Sequence, residues 1–231
     1  MTMTQTISHH LTDALLMGYS AGTLPEAFSL VVATHISMCD ECRARAATFD
    51  TVGGAMLETS QAVAMDEGSL EATMARISAA QPVARGNGAV TQPGQMQGQH
   101  QRRARGVLPA PLQEYVGGDL EQINWRPVGM GVRQALLPTS RSASVRLLYI
   151  PAGASVPDHG HRGLELTLVL QGAFMDGDLR FGPGDIEIAT EELEHTPIAA
   201  QGADCICLAA TDAPLRFRAL MPRLAQPFLR I

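Results

Sequence analysis

The stretch GASVPDHGHRGLELTLVLQG, Gly153 to Gly172, carries the reading of the fold. Two histidines, His159 and His161, are separated by one residue, Glu165 follows after three more, and Gly172 after a further six. On an extended strand residues i and i+2 point to one face, so His159 and His161 project together, with Glu165 in phase if the strand runs on without a bulge. Downstream, Gly184-Asp185 is separated from His195 by nine residues, which places a third imidazole within reach on a partner strand. Three imidazoles and one carboxylate are borderline donors that suit Zn, Fe, Mn, Ni or Cu. The bland alternative is that these histidines cap or pair in a metal-free barrel.

Working outward, VRLLYIPAG, LELTLVLQG and ICLAAT are short apolar runs bounded by Gly, Pro and Asp. Repeated short strands of this kind predict that residues 111–231 form an all-β sandwich or barrel. Cys205 and Cys207 share one face of the last of these strands. They could be an oxidant sensor, a soft-metal site or small buried fillers, and i, i+2 cysteines on a strand seldom meet disulfide geometry. Tyr115 and Trp125 are expected to pack near the mouth of the barrel. Arg162 and the acids Glu187, Glu191 and Glu194 are available for chemistry, but acids on a turn read as a solvated surface.

Residues 1–80 have a different texture. Leu11, Leu15 and Leu16 fall at helical spacing after Ser8, a candidate N-cap, and Gly18 and Gly22 close that segment. Pro25 opens a second helix bearing Phe28, Val31, Val32 and His35, a third runs from about Asp40 to Met56, and a fourth starts at Ser69. Leu70, Met74 and Ile77 occupy one face of the fourth helix. Four short helices leave a thin core, and such a domain usually needs a metal or a partner. The metal candidate is His35-x3-Cys39-x2-Cys42. On helical spacing the three side chains could leave one stripe, and structural zinc wants four N or S ligands in a tetrahedron. His9 and His10 are the other histidines of this region; His10, just before Leu11, is preferred as the fourth ligand. The competing reading makes the cysteines small core residues.

The chain has 231 residues, a formal net charge of −6, 4 Cys and 7 His. Charge divides it in three: net −6 over residues 1–80, +4 over 81–110 and −4 over 111–231. The middle piece is rich in Gln and Gly, lacks apolar periodicity, and reads as a flexible linker spanning roughly 30 Å. Its Arg85, Arg102, Arg103 and Arg105 could touch nucleic acid or merely solubilise, and His100 is expected to be solvated. The acidic balance argues against a protein that grips nucleic acid and suits a basic protein partner better. No stretch approaches the roughly 20 apolar residues of a membrane helix, and the first 30 residues offer no signal peptide. A cytoplasmic location is expected, where thiols stay reduced and spaced cysteines serve metals more often than disulfides.

Two resemblances follow from these residues. His-x3-Cys-x2-Cys, preceded by a His-bearing helix and a Tyr19–Leu24 turn, resembles the zinc-binding anti-sigma domain. The Gly153–Gly172 motif resembles the cupin β-barrel (double-stranded β-helix) family at every position. The second cupin motif departs: Thr190-Glu191-Glu192-Leu193-Glu194 stands where the family has Pro-x-Gly, and Ala199 where Asn is usual, although His195 keeps its spacing. Both motifs in this order, with the segments His9–Leu16, EAFSLVVATH, VPDHGHRGLELTLVLQGAF and DCICLAATDAPLRF, resemble the ChrR group of anti-sigma factors.

That resemblance implies two domains, an all-α zinc-bound domain (1–80) and an all-β cupin (111–231), joined by a linker (81–110). It implies zinc on His10, His35, Cys39 and Cys42, and zinc or another divalent metal on His159, His161, Glu165 and His195. It implies a group IV (extracytoplasmic-function) sigma factor as a 1:1 partner, held in part by Leu70, Met74 and Ile77, which otherwise pack in the domain's own core. It implies release under singlet oxygen or related oxidants, negative regulation of transcription and no enzymatic activity. The rival reading is a metal-dependent cupin enzyme of dioxygenase or isomerase type with an accessory zinc domain. A zinc-finger DNA binder conflicts with the acidic charge of residues 1–80.

Overall fold

The structure is a computed structural model that describes residues 6–80, 106–160, 162–191 and 194–214, with the backbone of 216 and 217. Arg85, His100, Arg102, Arg103, Arg105 and His161 lie outside the described residues. The chain divides into two compact units: Met1–Thr51 together with Gly106–Ile231, and Val52–Arg105.

Among the described residues there are five α-helices: α1 (Asp13–Ser20), α2 (Glu26–Met38), α3 (Asp40–Glu58) and α4 (Ser69–Ala79), in the region expected to be helical, and α5 (Ala110–Val116), which stands where only strands were expected. The cap of α1 differs from expectation. Thr12, not Ser8, occupies that position, its hydroxyl accepting from the Leu15 N–H at 3.4 Å. Ser8 is engaged elsewhere, as described below. Helix α2 buries Ala27, Phe28, Leu30, Val31, Val32, Thr34 and His35, nearly its whole circumference. A helix apolar all round must be enclosed, and α2 packs against α1 and α5 and against the sheet beyond them. Helix α4, in the second unit, has no buried residue, and Leu70, Met74 and Ile77 are 68%, 53% and 63% exposed. No helix among the described residues is long and apolar enough to cross a membrane.

The strands make an antiparallel barrel. Its large sheet is ordered β1 (Arg126–Gly129), β2 (Val132–Leu137), β3 (Ser144–Ile150), β11 (Cys205–Thr211), β5 (Glu165–Gln171), β8 (Ile186–Ala189). Two small sheets complete it: β10 (Ile198–Ala199), β6 (Phe174–Asp176), β7 (Leu179–Phe181); and β12 (Arg216–Phe217), β4 (His159–Gly160), β9 (Glu194–His195). Strand alternation sorts β5 cleanly. Leu166, Leu168 and Leu170 join a core with Leu16, Phe28 and Val32 of the helices, whereas Val169 joins Cys205, Cys207, Phe174 and Phe181 inside the barrel. Each large aliphatic or aromatic side chain buried this way contributes roughly 1.5–3 kcal/mol. The sheet is thus covered on both faces, which is why β11 reads as the unbroken apolar run CICLAA.

Gly172 turns β5 toward β6 at φ +70°, and a Cβ there would lie 2.3 Å from the Asp204 carbonyl oxygen, so only glycine fits. On the helical side Tyr115 of α5 donates to Glu26 of α2 at 3.0 Å and also bonds the Pro138 carbonyl, while Glu26 accepts the Ser140 N–H at 2.7 Å. Tyr115 therefore ties helices to the β2–β3 loop. Trp125 meets Tyr149 edge-on at 6.1 Å.

Candidate metal centres

The first cluster is built by a break between two helices. α2 ends at Met38, Cys39 takes an extended conformation (φ −110°, ψ 107°), and α3 begins at Asp40. His35, Cys39 and Cys42 therefore do not leave one continuous helical stripe. The break folds the Cys39 sulfur over the start of α3, where it accepts the Cys42 N–H at 3.4 Å. His10 arrives from the segment ahead of α1 and points Nδ1 at both sulfurs, 3.3 Å from Cys39 and 3.7 Å from Cys42. Its Nε2 lies 3.4 Å from Glu41, a carboxylate that fixes the tautomer. His35 completes the group, and all four donor atoms lie within 4.8 Å of one another. His9 does not join; its ring packs on Phe181 at 4.3 Å.

The donor set fits a tetrahedral ion. Ligands at 2.0–2.3 Å from a centre stand about 3.6 Å apart, close to the spacing of His10 from the two sulfurs. Both His35 ring nitrogens are buried without a hydrogen-bond partner among the described residues, a costly arrangement unless something else satisfies them. Burial lowers the His35 pKa to about 4, so the imidazole is neutral at pH 7 as a ligand must be. Burial and the adjacent Cys39 sulfur push the Cys42 thiol up to about 11. A bound cation would offset that cost for Cys42, since the thiolate is the ligand form.

The second cluster lies inside the barrel. His159 on β4 and His195 on β9 are direct cross-strand partners, both buried, with Nε2 atoms 3.2 Å apart. His159 Nδ1 faces the Pro157 carbonyl at 2.8 Å and His195 Nδ1 faces Asp176 at 3.1 Å. The Pro157 carbonyl can only accept, so His159 Nδ1 carries a hydrogen, and the two Nε2 atoms face each other at a distance that either a shared proton or a shared cation satisfies. Burial lowers the His159 pKa to about 4. Burial works against charge on His195 too, but Glu187 and Asp176 more than offset it and raise its pKa. Glu165 does not continue the strand of His159; β4 ends at Gly160, and Glu165 opens β5. It is buried, accepts from Thr167 at 3.1 Å, and burial raises its pKa to about 6 despite the opposing His195 and Arg146.

Two acids were misplaced or missed. Glu187, expected on a solvated turn, is a buried strand residue on β8, 3.7 Å from His195. The signal was present in Ile186-Glu187-Ile188, where alternation sends the acid to the face opposite the isoleucines. Asp176 forms a group with Glu187 and His195 whose donor atoms lie within 4.8 Å, and its sequence context carries no such mark. Glu191 is exposed on a turn as expected, and Glu194 is exposed but belongs to β9. Cys205 and Cys207 lie side by side beneath this cluster, sulfurs 3.4 Å apart, and the Cys205 contact, burial and the acids Glu187 and Glu165 drive the Cys207 thiol pKa well up.

The anti-sigma-E factor ChrR of Cereibacter sphaeroides is 59% identical over 226 residues, covering 98% of this chain and all of that protein. The chain belongs to the ChrR family. A profile described as the ChrR cupin-like domain matches residues 113–214, the barrel. The crystal structure of Rhodobacter sphaeroides SigE in complex with the anti-sigma ChrR matches with 57% identity and a TM-score of 0.74, covering 90% of this chain and all of that one. An RmlC-like cupin protein from Ralstonia eutropha aligns with 42% of this chain and 68% of its own at 25% identity and a TM-score of 0.37. In this ChrR-family chain His35, Cys39, Cys42, His159, Glu165, Glu187 and His195 are buried and His10 and Asp176 partly so, with His195 in place behind its unusual second motif.

Proposed function

We propose that this chain is an anti-sigma factor that sequesters an extracytoplasmic-function sigma factor in a 1:1 complex in the cytoplasm and so represses transcription. Zinc on His10, His35, Cys39 and Cys42 fixes the junction of α2 and α3 and the entry to α1. Leu70, Met74 and Ile77 of α4 form part of the partner face. A chain does not keep three large apolar residues 53–68% exposed on one short helix without something to cover them. His159, His161, Glu165 and His195 hold a divalent metal in the barrel. Singlet oxygen or a related oxidant acts at the barrel and releases the sigma factor; it does so only by binding or reacting differently in the held and released states. The chain regulates rather than catalyses, and it makes no direct contact with DNA.

The observation that carries this reading is near-full-length likeness to a chain solved with its sigma factor bound. The experiment is co-purification of the full chain with the sigma factor of its own organism. Replacing Leu70, Met74 and Ile77 together by serine should lower recovery of the sigma factor at least tenfold while leaving the melting temperature within 2 °C, roughly what surface changes cost. Undiminished recovery removes α4 from the partner face.

A further inference from the structure

The segment that delivers His10 has no secondary structure of its own, since α1 begins only at Asp13. It is held by the barrel. The Ser8 and His9 N–H groups both donate to one oxygen of Asp185, at 2.7 and 2.9 Å, and the Ser8 hydroxyl lies 3.4 Å from the same oxygen. The other carboxylate oxygen accepts the Gly182 N–H at 2.8 Å. The His9 carbonyl accepts the Ile186 N–H at 3.3 Å. Ile7 sits over Gly184, where an added Cβ would meet its Cδ1 at 2.4 Å. Three consecutive barrel positions, 184–186, thus address three consecutive residues just ahead of one donor of the helical cluster, and Gly182 fixes the Asp185 carboxylate from its other oxygen.

We infer that Asp185 is a positioning residue for His10: it holds the 7–9 segment so that the His10 imidazole already faces the Cys39 and Cys42 sulfurs before a metal arrives. This rests on reading His10, His35, Cys39 and Cys42 as a metal centre. A ligand on an otherwise unstructured segment must be ordered when the metal binds, and that entropy weakens affinity. The carboxylate does the ordering in advance, through two charge-assisted bonds to backbone N–H groups, the stronger kind. Two residues on, in β8, Glu187 faces His195, and Ile186 of that strand bonds the His9 carbonyl, so the element beside His10's segment also borders the barrel cluster.

The test uses the full chain with Cys205 and Cys207 replaced by alanine and loaded with cobalt(II), whose thiolate charge-transfer absorption then reports only the Cys39–Cys42 site. Affinity is measured by competition with a chelator for this parent, Asp185→Ala, His10→Ala and the double variant. Loss of a group that orients a metal ligand typically costs 10–100-fold in affinity. Asp185→Ala should therefore weaken the thiolate site at least tenfold in the parent background and less than twofold where His10 is already gone. Ser8→Pro, which deletes one N–H donor and leaves the β7–β8 turn untouched, should weaken it in the same direction. Equal losses with and without His10, or no loss in either Asp185→Ala or Ser8→Pro, overturn the positioning role while the metal centre stands. Absence of thiolate–cobalt absorption in the parent overturns the metal centre itself and the proposal with it.

Discussion

Replacing His35 by leucine should stabilise the metal-free protein and destabilise the zinc-loaded one. His35 is fully buried, and both its ring nitrogens lack a hydrogen-bond partner among the described residues. Each buried, unsatisfied polar group costs about 1–3 kcal/mol, and leucine fills a similar space with none. A gain of about 2 kcal/mol follows in the presence of a strong chelator. At about 2–4 °C per kcal/mol, that raises the midpoint by roughly 4–8 °C for a unit of this size. With saturating zinc the sign reverses. Structural zinc contributes ~10–16 kcal/mol through four ligands, so one ligand carries roughly 3–4 kcal/mol, more than the apo gain. The leucine variant should then melt at least 2 °C below wild type. At pH 7.5 protonation plays no part, because the folded imidazole titrates at about 4 and the free one at 6.5. The assay is differential scanning calorimetry of both proteins with zinc and with chelator. A leucine variant that is the more stable in both conditions refutes the argument that His35 is buried as a metal ligand.

Below neutrality, the metal-free wild type should lose stability as pH falls from about 6.5 toward 4. The unfolded chain takes up the proton that folded His35 refuses, which amounts to roughly 3 kcal/mol when complete; urea unfolding of the leucine variant should show a shallower dependence. At the alkaline end, burial and the Glu26 contact raise the Tyr115 pKa from 10 to about 12. Its contribution is present below pH 10 and lost as pH rises through 12, so Tyr115→Phe should flatten the fall in melting temperature across that window. Gly172→Ala combines a positive φ with a Cβ placed 2.3 Å from the backbone oxygen of Asp204, which cannot move aside. It should cost at least about 3 kcal/mol in chemical denaturation, beyond the ~1–2 kcal/mol of left-handed strain alone.

Local chemistry was the most legible. The spacing of His35, Cys39 and Cys42 points to one ion even though a helix break rather than a stripe assembles them, because a Cys-x2-Cys turn works in either setting. His10 separates from His9 only through position beside Leu11, which is 1% exposed and drags its neighbour inward. The strands around VRLLYIPAG and LELTLVLQG were legible for the same reason: alternation and turns are local. What stayed hidden is long-range. Nothing near Ser8 says that its N–H will meet a carboxylate at Asp185 rather than cap a helix, and the cap then falls to Thr12. Nothing near α2 says that its all-round apolar surface is shared with β3, β5 and β11, so that the first helices and the barrel share one core. Glu187 was misjudged because it was read as a turn residue when the flanking isoleucines place it on a strand.

The central claim is that a metal-organised helical region holds a sigma factor. It is tested most directly by native mass spectrometry of the full chain mixed with the sigma factor of its own organism, for wild type and Cys39→Ser. The account predicts a 1:1 complex carrying zinc for the wild type, and for the variant neither the zinc of the helical cluster nor the complex at equal concentration. A complex that forms equally well with Cys39→Ser, or a zinc-loaded wild type that captures no sigma factor, contradicts it.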